Sequence, residues 1–207
     1  MDLWDSLTRR KLVKGSLLAV ASAMLPRAAA AAEWLRLASA PNDPEVNGVD
    51  PSVRPSAGDE PPRALSFYNL HTGESLTTVY FENGEYVPGA LREVNYFFRD
   101  FRNNEVKPIE PRLLDLLHRI HQALNTTAPF NLISGYRSPA TNAWLASRSA
   151  GVSHHSMHME GRAADINVQG RDLTLVESVA LAMRGGGVGY YPRSDFVHVD
   201  TGRVRRW

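Results

Sequence analysis

Residues 153–168, SHHSMHMEGRAADINV, bring three histidines, a glutamate and an aspartate together within sixteen residues. The chain contains no cysteine, so any zinc ion must be held by imidazole or carboxylate groups. His158 comes just before a predicted strand that carries Asp165, and His198 lies in the last predicted strand. Three protein ligands with a fourth position open to water is the arrangement of a catalytic zinc. A single histidine in a strand is more often a core or surface residue, so spacing alone does not distinguish a metal site from a polar loop.

Hydrophobic periodicity predicts the elements that position these side chains. The alternating runs ALSFYNL and LTTVYFE flank HTGES and predict a hairpin. Helical spacing predicts four helices, in GALREVNYFFRDFR, PRLLDLLHRIHQALN and LTLVESVALAMR and at residues 139–149. Four further strands are predicted, in FNLISGYRS, GRAADINV, GGVGYY and DFVHVD. This order predicts an α+β fold, a small antiparallel sheet with flanking helices.

The N-terminal residues 1–32 have the features of an export signal. Arg9 and Arg10 precede a short apolar run at residues 17–25, and an alanine tract then offers A-x-A cleavage sites. The apolar run is shorter than the roughly 20 residues needed to span a bilayer. An amphipathic first helix fits the arginine pair and the alanine tract less well. We therefore expect a twin-arginine signal peptide, a periplasmic location and no stable membrane span after processing.

Composition divides the rest of the chain into two parts. Residues 33–63 are rich in proline, glycine and acidic residues and predict a flexible tether. Residues 64–207 are long enough to build one hydrophobic core. The net charge of the whole chain is only +1, which gives no basic field of the kind that nucleic-acid binding requires, so we expect no nucleic-acid partner.

Three motifs carry a resemblance to a known family. SMHMEGRAAD fits the pattern S-x-H-x-x-G-x-A-x-D, with SGYRS upstream and DFVH downstream. In this the chain resembles the zinc D-alanyl-D-alanine peptidase superfamily, which includes bacterial cell-wall peptidases and the hedgehog signalling domain. LISGYRS, MRGGGVGYYPRS and FVHVDTGRVRRW are more closely similar to the exported murein endopeptidases of the twin-arginine type. The resemblance extends from NLHTGE to Trp207 and implies the zinc peptidase (hedgehog/D-Ala-D-Ala peptidase) fold.

The resemblance also implies roles for particular residues. It assigns one zinc ion per chain to His158, Asp165 and His198, and the acidic general base to Asp195, three residues before the last ligand. It makes Arg137 of the GYRS motif a catalytic group that binds a carbonyl or carboxylate oxygen of the substrate. A zinc ion lowers the pKa of bound water to about 7, and an arginine stabilises an oxyanion, so these roles are chemically consistent.

Substrate binding is expected at Ser156, next to the metal, and at Tyr136 of the GYRS motif. Other candidates remain beside these assignments. His154 and His155 are alternative ligands, although both are expected to line the cleft, and Asp200 competes with Asp195 as the base or orients His198.

Local geometry adds a condition on the base. Side chains three residues apart in a regular strand point to opposite faces, so Asp195 and His198 require a turn, a bulge or a later strand start between them.

The resulting functional hypothesis is a zinc-dependent murein endopeptidase that hydrolyses peptide cross-links of peptidoglycan in cell-wall growth or remodelling. Its partners would be the stem peptides of peptidoglycan. The alternatives are a non-catalytic peptidoglycan-binding module of the same fold and a D,D-carboxypeptidase or dipeptidase. The sequence leaves three candidate bonds: a cross-link between two residues of the diamino acid diaminopimelate, a D-alanyl–diaminopimelate cross-link, and the bond to a terminal D-alanine.

Overall fold

The computed structural model describes residues 60–149 and 151–207. The predicted signal peptide, residues 1–32, and the predicted tether up to residue 59 lie outside these described residues. The first strand begins at Arg63, one residue before the predicted start of the domain. Among the helices of the described part, none has the length and apolar character needed to cross a membrane.

Eight strands and four α-helices form the described part of the chain. The strands are β1 (Arg63–Asn69), β2 (Ser75–Glu82), β3 (Glu85–Tyr86), β4 (Phe130–Ser134), β5 (Ala163–Val168), β6 (Gly187–Tyr191), β7 (Phe196–Asp200) and β8 (Arg205–Arg206). The helices are α1 (Pro88–Phe97), α2 (Pro111–Ala123), α3 (Pro139–Ala146) and α4 (Leu173–Met183). Short 3-10 turns occupy Met157–Glu160 and Pro192–Ser194.

The prediction of an α+β fold is confirmed, and each predicted helix and strand has a counterpart. The hairpin is present, because β1 and β2 pair in antiparallel orientation. Three of the four helices begin at a proline, whose fixed φ suits the first helical position. Ser138 caps α3, since its Oγ accepts a hydrogen bond from the Thr141 N–H at 3.2 Å.

The prediction of a small antiparallel sheet is wrong. All eight strands form one sheet in the order β3-β2-β1-β4-β5-β7-β6-β8, and the pairs β1–β4 and β6–β8 are parallel. Alternation along a sequence reveals single strands and local hairpins, whereas the β1–β4 pair places Phe67 opposite Phe130, far along the chain. In addition, β3 and β8 have only two residues each and therefore no visible alternation. The assignment to the hedgehog/D-Ala-D-Ala peptidase fold stays a prediction.

Strand alternation separates the hydrophobic core from a polar face in the middle of the sheet. Ile166 on β5 and Val197 on β7 are fully buried in the core. Their neighbours Asp165 and His198 point to the other face and lie opposite each other in the β5–β7 register. Helices α2 and α4 pack against each other, and α4 also contacts β5, β6 and β7. The packed core therefore fixes the two strands that carry two of the predicted ligands.

Candidate active site

Three elements bring the predicted ligands together. His158 lies in the 3-10 turn Met157–Glu160, Asp165 on β5 and His198 on β7. The turn is shaped at both ends, because the Ser156 Oγ accepts a hydrogen bond from the His158 N–H at 3.3 Å and Gly161 ends the turn with a φ of 70°. A Cβ at Gly161 would lie 2.3 Å from the carbonyl oxygen of Pro108, so only glycine fits there.

The ligand atoms of this cluster have distances that suit a zinc ion. Asp165 Oδ1 lies 3.2 Å from His158 Nε2 and 2.9 Å from His198 Nδ1, and the two nitrogens are 3.1 Å apart. Metal–ligand bonds of about 2.0–2.1 Å in a tetrahedron place neighbouring ligands about 3.3 Å apart. All three side chains are buried. The residues present therefore fit a zinc ion with three protein ligands.

The second nitrogen of each histidine is held by a hydrogen-bond acceptor. His158 Nδ1 lies 2.7 Å from the Gly135 carbonyl oxygen, and His198 Nε2 lies 3.1 Å from Asp200 Oδ2. Each acceptor keeps a proton on the nitrogen that it contacts and leaves the lone pair of the other nitrogen for a metal. The nitrogens left free to bind a metal are His158 Nε2 and His198 Nδ1, which are the two nitrogens that face Asp165.

Burial and close contacts shift the titration of this cluster. Burial lowers the pKa of His158. Burial acts in the same direction on His198, but hydrogen bonds to Asp165 and Asp200 outweigh it and raise the pKa of His198 to about 9. Burial would raise the pKa of Asp165, yet the two imidazoles hold that pKa well below its usual range. The metal-free cluster therefore keeps one proton that a metal ion has to displace.

Arg137 lies beside the cluster with unused hydrogen-bonding capacity. Its Nη2 is 3.6 Å from Asp165 Oδ2, and its contacts to Asn142 and Ser134 are long, at 3.4 Å each. Its Nε is buried and has no hydrogen-bond partner. Burial lowers the pKa of Arg137, although a guanidinium remains charged. The two Nη groups, whose contacts within the protein are long, are available for an oxygen atom of a bound molecule.

The cluster and Arg137 open into a cavity of about 300 Å³. This volume matches the lower end of the range for ligand pockets. Its lining includes both histidine ligands, Asp165, Arg137 and the predicted Ser156. The remaining lining residues are Gly151, Val152, Ser153, His155, Met157, Tyr191, Phe196, Arg205 and Trp207.

Two predicted site residues do not line this cavity. Asp195 is exposed and has a φ of 53°, and its side chain lies 3.2 Å from Asn167 Nδ2. Strand β7 begins only at Phe196, so the required late strand start between Asp195 and His198 is present. Tyr136 is 7% exposed and packs in the hydrophobic core.

The remaining candidate residues differ in whether they line the cavity. His155 lines the cavity, whereas His154 is exposed and does not. Glu160 is exposed and pairs with Arg162 at 3.0 Å. Asp200 is fully buried, and besides His198 it accepts hydrogen bonds from the backbone N–H groups of Gly187 and Gly202. Its saturated carboxylate orients His198 rather than facing the cavity.

The lining residues that sequence reasoning missed include Tyr191, Arg205 and Trp207. Arg205 Nη2 lies 2.7 Å from Asp200 Oδ2, and the Trp207 ring centroid is 5.2 Å from that of His198. The segment that carries two of them, RRW, has no periodicity and no metal-ligand spacing. The only available signal was its place within the resemblance.

Comparisons with known proteins show which family the chain resembles. The family model Peptidase_M15_2, described as peptidoglycan L,D-endopeptidase MepK, matches residues 57–207. The protein of that name from Escherichia coli K12 is 49% identical over 146 residues, which cover 70% of this chain and 80% of the relative. A probable peptidoglycan L,D-endopeptidase MepK from Haemophilus influenzae is 42% identical over 147 residues, covering 70% and 79%.

A solved structure is also similar, but only loosely. The crystal structure of the Serratia marcescens L-Ala D-Glu endopeptidase ChiX aligns with 19% identity and a TM-score of 0.31, over 46% of this chain and 66% of that one. Similarity at this level supports no conclusion about fold or function.

Proposed function

This chain belongs to the Peptidase_M15_2 family, and we propose that it is a zinc-dependent murein endopeptidase. One observation carries the zinc requirement: His158, Asp165 and His198 direct three ligand atoms at one point, and the other nitrogen of each histidine faces a hydrogen-bond acceptor. The names of the relatives specify L,D-endopeptidases, so we assign to this chain the hydrolysis of L,D cross-links between peptidoglycan stem peptides.

A zinc ion at this cluster would polarise the scissile carbonyl and lower the pKa of a water molecule to about 7. The protein supplies the rest of the chemistry. Arg137 binds the carbonyl oxygen or a neighbouring carboxylate through the donors that it does not use within the protein. Ser156 lines the same cavity and presents a hydroxyl to the substrate. Because these groups come from a strand end and a capped turn, the substrate meets them already oriented.

Amide hydrolysis adds the oxygen of water to the carbonyl carbon and breaks the C–N bond. One side chain must therefore accept a proton from water and deliver a proton to the departing amine. We assign this role to Asp195, whose exposed carboxylate has to turn from Asn167 toward the cavity. His155 is the competing group, because it lines the cavity and imidazole is the commonest general base.

The substrate sets the location of the enzyme. Peptidoglycan lies outside the cytoplasm, so the protein has to be exported before it meets a cross-link. We propose that residues 1–32 direct export by the twin-arginine route, that residues 33–63 act as a tether, and that residues 64–207 act in the periplasm.

The zinc requirement is tested by metal analysis of the purified protein. We expect about one zinc per chain, loss of zinc and of murein hydrolysis in His158→Ala, and recovery of a chelated wild-type sample on adding zinc. His118→Ala is the matched control, because His118 is a half-buried histidine of α2 that does not line the cavity. Full hydrolysis by a zinc-free sample would refute the metal requirement, and zinc binding without any hydrolysis would favour a peptidoglycan-binding module.

A further inference from the structure

We propose that Trp207 and Tyr191 form a rigid wall of the cavity that binds the methylene chain of the diamino acid in the peptide cross-link. The inference rests on the proposed function, because it names the part of the substrate that this surface takes. The wall would be a further contact that determines specificity, besides the groups already assigned to the site, which are the zinc cluster, Arg137 and the general base. Four features of the two rings support it: their fixed position, the space made for them, their exposure and their neighbours.

Hydrogen bonds hold both rings in place. The indole Nε1 of Trp207 donates to the Tyr191 Oη at 2.7 Å. The backbone of Trp207 is bound to β6 on both sides, because its N–H donates to the Val188 carbonyl at 3.2 Å and its carbonyl accepts from the Tyr190 N–H at 3.1 Å. The Tyr191 ring also stacks on Phe196, with centroids 4.6 Å apart. A surface fixed in this way loses little entropy when a ligand binds.

Strand β6 makes room for the indole at a single position. A Cβ at Gly189 would lie 2.7–2.9 Å from three atoms of the Trp207 ring, closer than side-chain atoms approach each other. Any larger residue at this position would therefore push the indole away from its place. The packing gives a way to displace the ring without altering a residue that lines the cavity.

The wall is apolar and open, although it borders charged groups. Trp207 is 47% exposed and lines the cavity together with Tyr191. Its ring lies against His198, with the Arg205 guanidinium 4.7 Å from its centroid. Arg137 lines the same cavity. A ligand that fits has an aliphatic segment near the reacting carbonyl and carboxylates near the guanidinium groups, and a cross-linking diamino acid combines these two features.

The test compares steady-state constants for a soluble L,D-cross-linked muropeptide dimer. Trp207→Ala removes the wall, and Gly189→Ala displaces it. Trp144→Ala is the matched control, because Trp144 is 49% exposed on α3 and does not line the cavity. We expect KM to rise about tenfold in both test variants, the effect of losing part of one apolar contact, with kcat within about twofold and zinc content unchanged. The control should keep both constants.

Several outcomes would overturn the proposal. KM unchanged in both test variants would mean that the substrate does not touch the wall. A fall in kcat at constant KM would mean that Trp207 acts through His198 instead. If the wild type bound the dimer without cleaving it, the proposed function would fail. The wall would then be tested by Kd, which should rise about tenfold in both test variants and would contradict the proposal if it stayed unchanged. Absence of both binding and cleavage would overturn both proposals.

Discussion

Replacing Asp200 by asparagine should weaken zinc binding by about tenfold to a hundredfold. Asp200 Oδ1 accepts hydrogen bonds from the N–H groups of Gly187 and Gly202, at 2.9 and 2.8 Å. The asparagine amide oxygen can take over these two bonds, which leaves the NH₂ group in the place of Oδ2. Oδ2 now faces His198 Nε2 at 3.1 Å and accepts a hydrogen bond from Arg205 Nη2 at 2.7 Å. That NH₂ group donates, so Nε2 would have to become an acceptor and the imidazole proton would move to Nδ1. This is the nitrogen whose lone pair the metal needs.

The expected magnitude follows from the contact that is lost. A hydrogen bond to a charged group contributes about 1.5–3 kcal/mol, and 1.4 kcal/mol corresponds to a factor of ten in affinity. The same range is typical when the hydrogen-bond partner of a metal-binding histidine is removed. Asp200 is fully buried, so solvent does not screen the loss.

The assay is zinc affinity by competition with a chelator, together with murein hydrolysis at saturating zinc. Glu177→Gln is the matched control. Glu177 is also a buried carboxylate, and it pairs with Arg206 of β8 at 2.9 Å. Unlike the zinc cluster, Glu177 does not line the cavity. Zinc affinity within twofold of the wild type in Asp200→Asn would refute the reasoning. If Asp200→Asn abolished hydrolysis with zinc still bound while Asp195→Asn kept near-normal turnover, the role of general base would move to Asp200.

Three further predictions concern the base, the bound proton and export. Asp195→Asn should lower murein hydrolysis about 10²–10⁴-fold with zinc retained, and a loss of that size in His155→Ala alone would transfer the role. The pKa of His198 is raised to about 9, so this side chain is protonated at pH 7 without metal. Calorimetry in buffers of different ionisation enthalpy should therefore detect about one proton released per zinc bound. For the same reason, zinc affinity should rise with pH until about 9. Changing Arg9 and Arg10 to lysine should leave the precursor in the cytoplasm on cell fractionation, and normal periplasmic accumulation would indicate another route.

Local sequence features predicted the elements better than the way they assemble. The alternation in LTTVYFE and the spacing in PRLLDLLHRIHQALN identify a strand and a helix because each side chain reports the local burial pattern. The parallel β1–β4 pair was not predictable, since it depends on contacts between Phe67 and Phe130 that no local pattern encodes. Sheet size and the direction of two strand pairs were therefore wrong, although every helix and strand that was predicted is present.

The candidate site was predictable only in part for the same reason. The motif in residues 153–168 identified His158 and Asp165 as candidate ligands. The structure brings Asp165 to His198 through neighbouring strands and His158 to both through a 3-10 turn. The position of the Asp195 carboxylate depends on the left-handed backbone conformation of Asp195. The position of the Trp207 ring depends on the pairing of the two-residue strand β8 with β6. Such features leave no periodic signal in a sequence.

The most direct test of the central claim is digestion of purified murein sacculi, followed by identification of the released muropeptides. We expect zinc-loaded protein to remove L,D-cross-linked dimers, chelation to stop this and added zinc to restore it, and His158→Ala to be inactive. Unchanged L,D cross-links after digestion with zinc-loaded protein, or cleavage confined to D,D cross-links or terminal D-alanine, would contradict it.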